Sequence, residues 1–207
     1  CHGCPSSDRP VLFVSNHTSY LDIVVLAAQL KATFVAKQEV AEWPGFGLLA
    51  RLNRTVFVQR NARRSREYRD EMHRRLAAGH SLILFPEGTS NDGNRVLDFS
   101  STFFSVAENR ILTDPTTVQP VAIAYTRLNG LPVGRSRRPL FAWYGDMSLV
   151  GHLWSVLGQS TVTVEIAFLP PVTIETCGSR KEMARHCQLL VATCVSDMLS
   201  GRPIRSI

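Results

Sequence analysis

Val11-Leu12-Phe13-Val14-Ser15 is a short apolar run that passes through Asn16-His17-Thr18-Ser19 into Tyr20–Leu30, a segment of helical period. A change from a β-rich run to a 3.6-residue period marks a strand feeding a helix. The same alternation recurs along the chain. Strands are expected near Thr33–Ala36, Val56–Gln59, Ser81–Phe85, Val118–Ala124 and Thr161–Phe168, and helices near Phe46–Leu52, Arg64–Ala78 and Ser101–Arg110. A last helix is expected over Arg180–Leu199, where Met183, Cys187, Leu190, Val191, Cys194 and Met198 form a core-facing stripe and Gly201 and Pro203 supply the stop. Strands alternating with crossover helices define an α/β fold. With 207 residues, 44% of them hydrophobic, the chain can bury one core and is too short for two ordinary domains, so residues 1–207 are read as one domain.

The formal net charge of +6 favours an anionic partner, and a nucleic acid, a phosphorylated substrate and an acidic membrane surface meet that condition equally. Only Lys31, Lys37 and Lys181 are lysines, so the basic residues are mostly arginines. The five cysteines, at 1, 4, 177, 187 and 194, are odd in number and show no secreted-domain spacing, which favours reduced thiols. Cys1-His2-Gly3-Cys4 has the spacing of half a zinc site without a matching second half, and no metal site is assigned. No apolar stretch reaches the ~20 residues of a membrane span. The nearest, Leu140 to Gly158, is interrupted by Asp146 and His152 and reads as an interfacial or tunnel-lining segment. Gly130 to Pro139 reads as a basic loop between the fifth and sixth strands.

Two constellations carry chemistry. His17 and Asp22 are five residues apart, a separation that keeps them from facing each other within one regular helix. They meet if His17 lies in the turn after the first strand and Asp22 in the first turn of the following helix, with Ser19 as N-cap. Asp22 would then fix one imidazole nitrogen and leave the other to take a proton from a hydroxyl. A simpler reading stays open, in which Asp22 only caps backbone N–H groups and His17 is a loop histidine. Further along, Phe85-Pro86-Glu87-Gly88-Thr89 closes an apolar strand, where α/β folds place ligand crevices. There Glu87 could accept from a substrate hydroxyl, Gly88 could let a ligand approach the backbone, and Thr89 could offer a hydroxyl, or the five residues form only a charged turn. Arg60 closes the strand that contains Phe57 and could supply a bidentate fork for an anion, whereas Arg63 to Arg75 form a solvated helix face.

These elements in this order resemble the glycerolipid acyltransferase family, which includes 1-acylglycerol-3-phosphate and bacterial lyso-ornithine-lipid acyltransferases. Asn16 to Asp22 is similar to the family's first block, Phe57 and Arg60 to its second, Phe85 to Thr89 to its third, and Val118-Gln119-Pro120-Val121-Ala122-Ile123 to its fourth. The resemblance implies an α/β fold, a mixed sheet flanked by helices, with monotopic membrane association. Any N-terminal anchor would lie upstream of Cys1. It makes His17 the general base and Asp22 its orienting carboxylate. Arg60, Glu87, Gly88 and Thr89 would hold the acceptor's polar head, Phe57 would be a further substrate-binding residue, and Pro120 would shape a neighbouring wall. The implied reaction moves a fatty acyl chain from acyl-CoA or acyl carrier protein to the free hydroxyl of a lysolipid at the cytoplasmic face of the cell membrane. It uses no cofactor, metal or acyl-enzyme.

The acceptor implied first is 1-acylglycerol-3-phosphate, giving phosphatidate, with lyso-ornithine lipid as the alternative. Several positions depart from the commoner pattern. Arg54 replaces a frequent glycine, Ser90 a frequent arginine, and Asp98-Phe99-Ser100 a common Pro-Phe-Lys. The lost basic residues disfavour a phosphate-bearing acceptor, and Ser90 to Arg95 is similar to the loop of relatives that include lyso-ornithine-lipid enzymes. Two other classes compete. A non-catalytic module for anionic membranes or nucleic acid would explain the charge, but few aromatic residues interleave with the arginines and nucleic acid is not an expected partner. A hydrolase lacks a Gly-x-Ser-x-Gly elbow to seat its nucleophile.

Overall fold

The structure, a computed structural model, describes residues 1–37, 56–58, 65–108 and 114–204. Among these residues seven strands form one sheet: β1 (Val11–Ser15), β2 (Thr33–Lys37), β3 (Val56–Val58), β4 (Leu82–Leu84), β5 (Thr117–Leu128), β6 (Leu131–Pro132) and β7 (Val162–Phe168). The order across the sheet is β3-β2-β4-β1-β5-β6, and β7 also pairs with β5. Neighbours from β3 through β5 run parallel, and β6 and β7 join β5 antiparallel, which makes the sheet mixed. The helices are α1 (Leu21–Gln29), α2 (Ser65–Ala77), α3 (Leu149–Leu157), α4 (Ile174–Cys177) and α5 (Arg180–Ser200). The α/β architecture is the one expected, and the expected helix over Phe46–Leu52 lies outside the described residues.

Every residue of β1 is buried, because side chains that alternate across a strand meet helices on both faces of a parallel sheet. Leu12 and Val14 join Leu82, Leu84 and Val118 on the face covered by α2 and α5, with Met72, Leu76 and the stripe Met183, Cys187, Leu190, Val191, Cys194 and Met198. Val11 and Phe13 join Ile83, Val121 and Ile123 on the other face, under Leu26 of α1, Leu30 just after it and Phe34. The stripe thus faces the core, and burial pushes the Cys187 thiol up to about 12 and the Cys194 thiol up to about 11. All five cysteines are free thiols.

Three local expectations change. Ser101–Glu108 is a 3-10 helix, and periodic burial alone does not separate this from an α-helix. Gly130 to Pro139 is not all loop, since Leu131 and Pro132 pair back onto Leu128 and Arg127. Asn129 and Gly130 both have positive φ, 52° and 79°, the backbone of a tight hairpin turn. Leu149–Leu157, within the interrupted apolar stretch, is the helix α3, begun by Ser148, whose side chain accepts from Gly151 N–H.

Parallel topology brings the site together. β1 and β4 are adjacent and in register, Val14 opposite Leu84, so the residues that follow each strand emerge at the same carboxyl edge. His17 follows one and Glu87 the other.

Candidate active site

The imidazole of His17 and the carboxylate of Asp22 are in hydrogen-bond contact, Nδ1 to Oδ2 at 3.0 Å. The helix starts one residue later than expected, with Tyr20 at the N-cap and no side-chain cap bond from it. The Ser19 hydroxyl accepts Leu21 N–H at 3.4 Å, and Asp22 Oδ2 also accepts N–H from Thr18 (2.7 Å) and Ser19 (2.9 Å). Its other oxygen accepts Tyr125 O–H at 2.8 Å. Asp22 is fully buried and His17 is 20% exposed. Since Asp22 only accepts, His17 donates through Nδ1 and holds the tautomer whose Nε2 carries the lone pair. Among the described residues no hydrogen bond engages Nε2. The ring stacks on Phe85, with centroids 4.1 Å apart and planes at 19°.

The turn after β4 braces this arrangement from below. Glu87 Oε1 accepts His17 N–H at 2.9 Å, and Oε2 accepts Asn91 Nδ2 at 2.8 Å and Leu97 N–H at 3.1 Å. Both oxygens are engaged within the chain, so the structure gives Glu87 partners other than the substrate hydroxyl expected from sequence. Burial pushes its carboxyl up to about 7, against the opposing pull of these N–H groups and of His17. Gly88 closes the turn with φ 68° and N–H to Phe85 O at 3.0 Å, a backbone that side-chain-bearing residues adopt only under strain. Thr89 is exposed, with its hydroxyl on Ser90 O at 3.4 Å. Pro120 is buried in β5 opposite Val14, and its carbonyl accepts Leu169 N–H. It is a sheet position, and no hydrogen bond joins it to His17 or Asp22. Phe57 is paired in β3 with Ala36 of β2, and Arg60 lies outside the described residues.

Three further residues meet here. Asn16 Nδ2 donates to Ile123 O at 3.0 Å and its Oδ1 accepts Ile123 N–H at 2.9 Å, clamping the turn after β1 to β5. Asn91 spans Glu87 and the His17 carbonyl. Tyr125 lies two residues beyond Ile123, on the strand face that also carries Val121, and its ring stacks on Phe141. Period-two alternation from Val121 and Ile123 places Tyr125 on the α1 side, where Asp22 lies in the first turn of the helix; that is the available signal. Burial and the Asp22 charge raise the Tyr125 phenol well above its ordinary value.

A buried carboxylate that orients an imidazole at the carboxyl edge of an α/β sheet equips an enzyme to take a proton from a hydroxyl. A family model described as Acyltransferase matches residues 3–124. The chain is 42% identical over 205 residues to the lyso-ornithine lipid O-acyltransferase of Rhizobium meliloti (strain 1021), covering 97% of this chain and 70% of that protein. It is 46% identical over 200 residues to the protein of the same name from Brucella abortus (strain 2308), covering 94% and 74%. The 1-acyl-sn-glycerophosphate (LPA) acyltransferase, PlsC, from Thermotoga maritima has a similar fold, with a TM-score of 0.61 at 23% identity over 97% of this chain and 70% of that one. The chain belongs to the Acyltransferase family, and it is an acyltransferase.

Proposed function

We propose that the chain transfers a fatty acyl group from acyl-CoA or acyl carrier protein to the hydroxyl of lyso-ornithine lipid, with no further cofactor. The proposed place is the cytoplasmic face of the cell membrane, where a water-soluble thioester and a bilayer lipid meet. One observation carries the chemistry: the His17–Asp22 contact, with no hydrogen bond to Nε2 among the described residues. In the proposed step Nε2 takes the proton of the acceptor hydroxyl as its oxygen attacks the thioester carbonyl. The C–S bond then breaks, and the proton on Nε2 passes to the departing thiolate. An ester and a free thiol result, and His17 returns to its starting tautomer. Asp22 stabilises the transient imidazolium.

The acceptor assignment is supported by the name shared by two relatives at 42% and 46% identity. It is also supported by Ser90, which stands where the family often has an arginine. The Ser90 hydroxyl donates to the Trp143 carbonyl at 2.5 Å, and a serine carries no charge to meet a phosphate. The test presents a labelled acyl donor with lyso-ornithine lipid and 1-acylglycerol-3-phosphate side by side. The expected result is a kcat/KM at least about tenfold higher on lyso-ornithine lipid, a difference of ~1.4 kcal/mol, and no transfer by His17→Ala. A preference for 1-acylglycerol-3-phosphate would overturn the acceptor assignment, and a fully active His17→Ala protein would overturn the mechanism.

A further inference from the structure

One face of α3 takes no part in the core. His152 of this helix is buried and its Nδ1 meets Tyr20 Oη at 3.0 Å. At ~100° per residue, Val150, Trp154 and Leu157 fall within about 60° of one another on the side opposite His152. They are 76%, 79% and 67% exposed. Met147, just before the helix, is also exposed, and its carbonyl accepts Trp143 Nε1–H at 2.9 Å.

This apolar stripe is coupled to the catalytic segment. Trp143 N–H donates to Thr18 O at 3.0 Å, and Tyr20 packs edge-on against both Trp143 and His152. On the preceding loop Arg135 and Arg137 are exposed, and Arg138 donates to Asn94 Oδ1 at 3.3 Å, in the loop whose Asn91 touches His17. From Val133 to Leu157 three arginines stand against one acid, Asp146. An apolar stripe and a basic loop therefore adjoin the same catalytic block.

We propose that α3 docks on an anionic bilayer, with Val150, Trp154 and Leu157 entering the boundary between headgroups and acyl chains and Arg135 and Arg137 meeting anionic headgroups. The proposal rests on the reading above that the acceptor is a membrane lipid. Three observations favour a bilayer over a protein partner. The chain carries +6, complementary to an anionic surface. An exposed tryptophan among aliphatic residues suits the interface. Three side chains supply far less than the ~800 Å² per partner of a stable protein interface. Docked in this way, α3 would bring Tyr20 and His17 to the surface that holds the acceptor.

The test measures co-sedimentation of this chain with phosphatidylcholine vesicles, with and without phosphatidylglycerol. V150S/W154S/L157S is expected to weaken vesicle binding on the order of 100-fold. R135Q/R137Q is expected to weaken binding about tenfold on phosphatidylglycerol-containing vesicles alone, with a flatter salt dependence. With acceptor dispersed in detergent both variants should keep wild-type acyl transfer, and they should lose rate when the acceptor is in vesicles. Unchanged vesicle binding by the triple variant would overturn the proposal. So would a lowered Tm, or a dimer turned into a monomer, since the stripe would then pack against this chain or a second copy. Weakened vesicle binding together with no transfer to any acceptor would leave the docking face standing and overturn only the functional reading.

Discussion

Replacing Asp22 with Asn separates orientation from charge at the centre of the site. The carboxylate accepts His17 Nδ1–H, Thr18 N–H and Ser19 N–H on Oδ2 and Tyr125 O–H on Oδ1. An asparagine satisfies this pattern in one orientation, with its oxygen toward the three N–H groups and its amide toward Tyr125, whose hydroxyl turns from donor to acceptor. The tautomer of His17 is then kept, and what disappears is the negative charge beside a developing imidazolium. At the 3.0 Å separation, two unit charges at an effective dielectric near 20 attract by about 5 kcal/mol. The retained neutral hydrogen bond and solvent at the partly exposed ring reduce the loss to roughly 3–5 kcal/mol, or two to four orders of magnitude in kcat. KM should change little, because the charge acts mainly once the proton has moved. The assay follows thiol release at saturating acyl-CoA, and thermal unfolding verifies the fold. A folded Asp22→Asn protein with kcat within about threefold of wild type would refute the argument and leave Asp22 as a cap alone.

Tyr125→Phe keeps the ring stacked on Phe141 and removes one donor from Asp22. The expected cost is about 1 kcal/mol in stability and roughly five- to tenfold in kcat with KM unchanged; an unaltered kcat in steady-state assays would remove Tyr125 from the orienting network. Glu87 gives a pH signature. Its carboxyl is pushed up to about 7 from an ordinary 4.5 by burial, so the folded state binds more protons than the unfolded state between those values. Its contribution to stability is therefore full below about 4.5 and is lost as pH rises through about 7, a change of up to about 3 kcal/mol. Denaturant unfolding of wild type against Glu87→Gln from pH 4.5 to 8 should show this slope in wild type only, and parallel profiles would refute it.

The parts of the fold legible in sequence are those whose signal is local and repeated. The α5 stripe recurs over about four turns, and its expected span, Arg180–Leu199, differs from the observed helix by one residue. β1 has its expected ends because a five-residue run buried on both faces has no alternation to misread. β6 was hidden by Pro132 and the arginines that follow, although Asn129-Gly130 carried the hairpin signal. In the site, the approach of His17 to Asp22 is legible because strand, turn and helix N-terminus are contiguous. The inward role of Glu87 is not, because a charged residue between proline and glycine looks like a solvated tip. Its partner His17 is 70 residues away in sequence, and Tyr125 is 103 from Asp22. Such separations are set by strand order, which no local period encodes.

The two readings of Asp22, cap and the proposed partner of a His17 base, call for one and the same arrangement. The N–H groups of Thr18 and Ser19 at the helix start are donors that need an acceptor whatever the function. Asp22 provides it, and in doing so its Oδ2 is fixed where His17 Nδ1 arrives. Glu87 completes the bracket by holding His17 at its own backbone N–H, and Asn16 ties the same turn to Ile123. The imidazole is thus positioned from both sides of its Cα by groups that also satisfy buried backbone. The orientation is in place before any substrate arrives, so little reorganisation is left for the transition state. A mobile loop histidine would have lacked these constraints, and the six-residue motif His17 to Asp22 alone could not have supplied them. They require β1, β4 and β5 to lie side by side, which the observed strand order achieves.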